Sequence, residues 1–112
     1  MSKLTSKRRE LFLGVLRAGK SVSAGASAIR VSRAGLYAAR ARDKNFAALW
    51  DQAIEHGTDL LEDEAVRRGF KGTLRPIYQG GKRVGTIREY SDVLLIFTLK
   101  ARRPGKFREI TA

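Results

Sequence analysis

The chain contains no cysteine and a single histidine, His56. Disulfides and thiolate metal sites are therefore excluded, and neither a zinc site nor a Ser/His catalytic pair has the partners it needs. The longest apolar run, "VLLIFTL", falls far short of the roughly 20 residues that span a bilayer. The basic N-terminus has no apolar signal core, so the reading is of a protein kept in the cytoplasm, away from membranes. "QGGKR" has the glycines of a phosphate loop but no Ser or Thr after its lysine, and reads as a hairpin turn. Acid is also short: 11 acidic residues stand against 23 basic ones, a net charge of +12.

That charge is unevenly placed. Residues 1–44 carry +9, residues 45–70 carry −4 and residues 71–112 carry +7. A basic head is the natural polyanion-binding part, and the acidic waist has a different duty. The apolar fraction of 43% is that of a globular chain, but 112 residues bury only a modest share of their surface. Oligomerisation often supplies the rest.

The head divides into three helices. "SKRRELFLGVLRAG" opens at a Thr5 or Ser6 cap and ends at Gly19, with Leu11, Phe12, Val15 and Leu16 as its apolar stripe. Lys7, Arg8 and Arg9 crowd its first turn, where the helix dipole disfavours cations; they face a phosphate or form a solvated basic tail. A second helix over Ser21 to Ile29 is capped by Ser21 or Ser23 and puts Val22, Ala26 and Ile29 on one face. Ser32 caps the third, with Val31 and Leu36 placed as a hydrophobic staple. This is the tri-helical helix-turn-helix plan, a DNA-binding domain over residues 1–44.

Projected as one helix, the third element gathers Arg33, Tyr37, Arg40 and Lys44, flanked by Ala34 and Ala41, opposite Gly35, Leu36 and Ala39. Small flanks let a helix sink into a groove about 12 Å wide. Arg33 is placed to reach a guanine edge, and Tyr37 and Arg40 to reach phosphate, sugar or base. The expected DNA-binding set is Lys7, Arg8, Arg9, Lys20, Ser32, Arg33, Tyr37, Arg40 and Lys44.

Residues 45–112 read as an oligomerisation region. A long helix opening near Asn45 carries Phe46, Leu49, Trp50, Ala53, Ile54, Gly57, Leu60, Leu61 and Ala65, more apolar surface than a small head needs. Phe46 and Trp50 close the head's core, and Leu60 and Leu61 are assigned to packing between subunits. Gly57 either kinks this helix or allows a close backbone approach. A hairpin follows over 74–90, with "RPIYQ" and "VGTIREY" as strands around "GGKR" and Pro76 at an edge or bulge. Ser91 caps a helix over 91–103 in which Val93, Leu94, Leu95, Ile96, Phe97 and Leu99 leave no polar side. Such a helix is expected to be buried nearly all round, which argues for assembly. Pro104 and Gly105 end it, leaving a basic tail that fits DNA, the acidic waist or another protein. The cluster Asp59, Glu62, Asp63 and Glu64 has no second carboxylate group or base brought to it, and reads as a solvated face.

The spacing of Ala26, Arg30, Val31 and Leu36 resembles the common helix-turn-helix pattern, with Arg30 in the place of the usual turn glycine. In the order "SVSAGASAIRVSRAGLYAAR", "DKNFAALWDQAIEHGTDLLEDEA" and "RPIYQGGKRVGTIREYSDVLLIFTLKARRPGKF", residues 6–108 resemble a bacteriophage terminase small subunit of the short helix-turn-helix type. Ala39 departs from that pattern, where a larger, often aromatic residue is expected. The resemblance implies a mainly α fold and a ring-type homo-oligomer in the host cytoplasm. It also implies recognition of double-stranded viral DNA at a packaging site and delivery to a large, ATP-hydrolysing nuclease subunit. No cofactor, metal or catalysis of its own is expected. A dimeric transcriptional regulator is the alternative, because such heads are shared among functions; a protein adaptor or small nuclease comes third.

Overall fold

The computed structural model describes residues 3–108, and the chain folds as two compact units, Met1–Leu61 and Glu62–Ala112. It is mainly helical, with one two-stranded hairpin. No helix among the described residues is long and apolar enough to cross a membrane.

In the first unit, helices α1 (Ser6–Arg17), α2 (Val22–Ile29) and α3 (Arg33–Arg42) each begin at a hydroxyl cap. Thr5, Ser21 and Ser32 accept from the backbone N–H of Arg8, Ala24 and Gly35, satisfying donors that a helix start leaves unpaired. Helix α4 (Lys44–Val66) starts where Asp43 turns extended; its carboxylate accepts from the N–H groups of Asn45 and Phe46. Lys44 therefore opens α4 and does not extend the face of α3 as the uninterrupted projection placed it.

The core of this unit is Phe12, Leu13, Leu16, Ala26, Ile29, Val31, Leu36, Ala39, Phe46, Trp50 and Ala53. Trp50 meets Phe12 and Phe46 edge-on, with ring centroids 4.8 Å and 5.8 Å apart. The stripe of α1 is rotated from the expected one: Leu13 is buried and Leu11 lies exposed. Gly57 serves close approach, since a Cβ there would lie 2.3 Å from the Leu16 carbonyl oxygen. The compact unit thus reaches well past residue 44, because Phe46, Trp50, Ala53 and Gly57 all belong to it.

In the second unit the end of α4 passes into a π-helical turn, Arg67–Lys71, closed by Gly72, whose N–H donates to the Arg67 carbonyl. Strands β1 (Thr73–Gln79) and β2 (Lys82–Glu89) pair antiparallel around Gly80 and Gly81. Both turn glycines have positive φ, 61° and 80°, the geometry whose twist matches the strands. The turn is shorter than expected, and Lys82 and Arg83 belong to β2. Helix α5 (Asp92–Arg102) is capped by Ser91, and Pro104–Phe107 forms a short helix, α6, where only a tail was expected.

Within one chain, helix α5 has no buried residue: Val93 is 65% exposed and Phe97 70%, and Ile96 and Leu99 are also exposed. Leu94 and Leu95 are half-buried, and Leu95 backbone lies against Gly69, where a Cβ would come within 2.8 Å of it. The helix is apolar all round, as its sequence says, but one chain has nothing to cover its outer side.

Candidate nucleic-acid interface

The turn between α2 and α3 is closed by Arg30, the only non-glycine residue at positive φ among the described residues (φ 57°, ψ 42°). Its N–H donates to the Ser27 carbonyl and that of Val31 to the Ala26 carbonyl, so the chain reverses in the left-handed cap that glycine usually makes. The staple residues Val31 and Leu36 are both buried. Helix α3 is seated by Leu36 and Ala39, with Gly35 half-buried, the side the sequence assigned to packing.

The outward side differs in detail. Ala34, Ala38 and Ala41 are exposed, Arg33 and Tyr37 line one margin and Arg42 ends the other. Arg33 donates to the Ser23 hydroxyl at 2.9 Å and lies over the Tyr37 ring, while keeping its side chain at the surface. Tyr37 is 45% exposed, and its ring packs 5.1 Å from that of Trp50. Arg40 is turned inward. It pairs with Asp51 at 2.9 Å, donates to the Ala47 carbonyl at 3.3 Å and sits 5.2 Å from the Trp50 ring centroid. Its geometry is that of a clamp between α3 and α4, not of a free donor.

The basic first turn of α1 divides similarly. Arg9 pairs with Asp43 at 2.8 Å and stacks over Phe46, so it is committed to the fold. The Asp43 carboxyl is held below its usual value of 3.8, first by the Phe46 N–H and then by the Arg9 side chain. Arg8 donates to the Lys3 carbonyl at 2.7 Å. Lys7, Lys20 and Lys44 are exposed and have no partner among the described residues. Ser32 spends its acceptor on the helix start and is half-buried.

Two cations outside the expected set share this surface. Arg30 and Arg42 are exposed, without partners among the described residues, at the two ends of α3. With Arg33, Ser23, Ser27 and Ser32, Arg30 lines an open depression of about 400 Å³ at the start of α3. Arg30 is absent from the expected set; its position at the head of a serine-capped helix is the signal that would have found it. The resulting surface is flat and small along its centre, with cations at its margins, a shape that admits close approach to a polyanion.

Two acids of the waist cluster, Glu62 and Glu64, are paired. Glu62 accepts from Arg102 at 2.6 Å, tying the "KARRP" segment to the end of α4. Glu64 accepts from Arg67 and Arg68, and the Arg67 hydrogen bond holds its carboxyl down to about 2. No group of three or more His, Cys, Asp or Glu residues able to hold a metal occurs among the described residues. Of the residues assigned to oligomerisation, Leu60, Leu61, Val93, Ile96, Phe97 and Leu99 are exposed, and Leu94 and Leu95 are half-buried. Comparison with protein-family models, with curated proteins and with solved structures finds no match.

Proposed function

We propose that the chain is a DNA-recognition subunit of a viral packaging motor. In this reading it is a small terminase subunit that assembles as a homo-oligomeric ring and delivers viral duplex DNA to a large ATPase/nuclease subunit. The observation that carries the DNA part is the exposed side of α3, alanine-centred and edged by Arg33, Arg30 and Arg42. The assembly part is supported by α5, which carries Val93, Ile96, Phe97 and Leu99 exposed. Apolar surface of this extent on one helix calls for a partner. Each head would bind weakly, and several heads on one ring would raise avidity through effective concentration. Phosphate attraction would supply much of the affinity, so binding falls steeply with salt.

The test has two arms. Arg33→Ala is expected to relax base preference by about 1–3 kcal/mol in competitive fluorescence binding. Arg40→Ala, by contrast, is expected to lower head stability by about 1 kcal/mol, through loss of its stacking on Trp50. Unchanged preference in Arg33→Ala would remove the recognition role from α3. Light scattering of the wild-type chain supplies the second arm: a ring of several copies supports packaging, and a stable dimer favours a transcriptional regulator.

A further inference from the structure

The hairpin was assigned on sequence to assembly, yet its two faces are chemically different. Pairing runs Ile77 to Gly85 and then Tyr78 to Arg83, so Val84 is an extra residue that bulges from β2. The bulge resets the alternation of that strand. Arg83 is thereby brought to the face that holds Thr86 and Arg88, opposite Tyr78, Pro76 and Leu74. Arg83 donates to the Thr86 hydroxyl at 2.8 Å, which confirms that the two share a face. The only acid of the hairpin, Glu89, lies on the other face, where it pairs with Arg75 at 2.8 Å beside Ile77 and Ile87.

One face thus holds the Arg75–Glu89 ion pair with Ile77 and Ile87, and Lys82 at its turn end; the other is basic with no carboxylate on it. Among the described residues Arg83 and Arg88 have no acidic partner; Arg83 donates to Thr86 and Arg88 to the Lys71 carbonyl. Tyr78 stands 63% exposed directly across from Arg83. Lys82, opposite Gln79 next to the turn, falls on the other face and does not add to this one. At the tip, a Cβ on Gly80 or Gly81 would meet nothing within 4 Å, so the backbone there is open.

We propose that this face is a second docking surface for duplex DNA, separate from the helical head and independent of it. A two-stranded ribbon fits the major groove, the guanidinium groups pair with phosphates, and the side-chain-free tip lets backbone N–H groups approach the duplex. An isolated hairpin is marginal in water, so it gains most from a partner that neutralises it.

The test uses the full chain. Arg83→Gln/Arg88→Gln is expected to bind duplex of any sequence roughly tenfold more weakly at low salt, and to reduce the slope of log K against log salt by about two. Because the sequence has no cysteine, Leu74→Cys, exposed on this face opposite Arg88, provides a single attachment point for an azidophenacyl photocrosslinker. Illumination with duplex DNA is expected to give a protein–DNA adduct competed by unlabelled duplex. Unchanged affinity and slope, in a variant whose circular dichroism and scattering mass match wild type, would overturn the proposal. So would a crosslink that joins two chains in place of DNA, which would return the face to assembly. The head is read separately: Arg33→Ala alters sequence preference, whereas the hairpin variant weakens all sequences alike.

Discussion

At the scale of single residues, the head shows how cations on one short segment take opposite roles. Arg9 and Arg40 are held by Asp43, Asp51 and two aromatic rings, whereas Arg33, Arg30 and Arg42 stay at the surface. Arg30 also sits in a backbone region that costs a side-chain-bearing residue about 1–2 kcal/mol. Arg30→Gly is therefore expected to stabilise the chain by about 1 kcal/mol in urea unfolding, after allowing for the extra freedom of glycine in the unfolded state. If the arginine is kept for its charge, the same variant binds DNA more weakly as it becomes more stable. Asp43 carries a pH dependence. Folding lowers its pKa, so its contribution is full above the unfolded value and is lost as pH falls through the folded one. Thermal melts between about pH 5 and pH 3 are expected to show wild type losing more Tm on acidification than Asp43→Asn does.

At the scale of elements, caps and turns were the most legible part of the sequence. Thr5, Ser21, Ser32 and Ser91 each stand at a helix start and each accepts the expected N–H. Such bonds span three residues, and local chemistry alone specifies them. Asp43 was missed because "RARDKN" continues a helical pattern on both sides, and only the two bonds its carboxylate accepts show the break. Arg40 was assigned to DNA because its angular position allows it, while the acid that captures it lies eleven residues on, across a chain reversal. The bulge at Val84 was equally invisible, since a period of two gives no sign of one extra residue. On α5, composition signals a helix that needs cover from other copies, and within one chain Val93, Ile96, Phe97 and Leu99 are exposed. The position of Leu95 against Gly69 also decides which variant tests assembly. Leu95→Asp disturbs the chain's own packing, whereas Phe97→Asp changes only the exposed side. Phe97→Asp is expected to dissociate the assembly in light scattering while leaving helix content by circular dichroism within a few per cent of wild type.

At the scale of the whole molecule, the two units differ in where their apolar side chains go. Among the described residues, the first unit buries eleven hydrophobic ones, including Phe12 and Leu36 completely. Among the described residues of the second, only Gly69 and Gly72 are buried. A unit with a core of its own melts at a temperature set by its sequence. A unit that must borrow its core from other copies melts at a temperature set by how many copies are present, because association with the folded form adds free energy by mass action. Calorimetry across a range of chain concentrations is expected to show one transition that stays fixed and a second that rises with concentration. A single concentration-independent transition would mean that α5 needs no other copy. In the assembly proposed above, the bare outer side of α5 would make the chain a concentration sensor, its second unit gaining stability as copies gather.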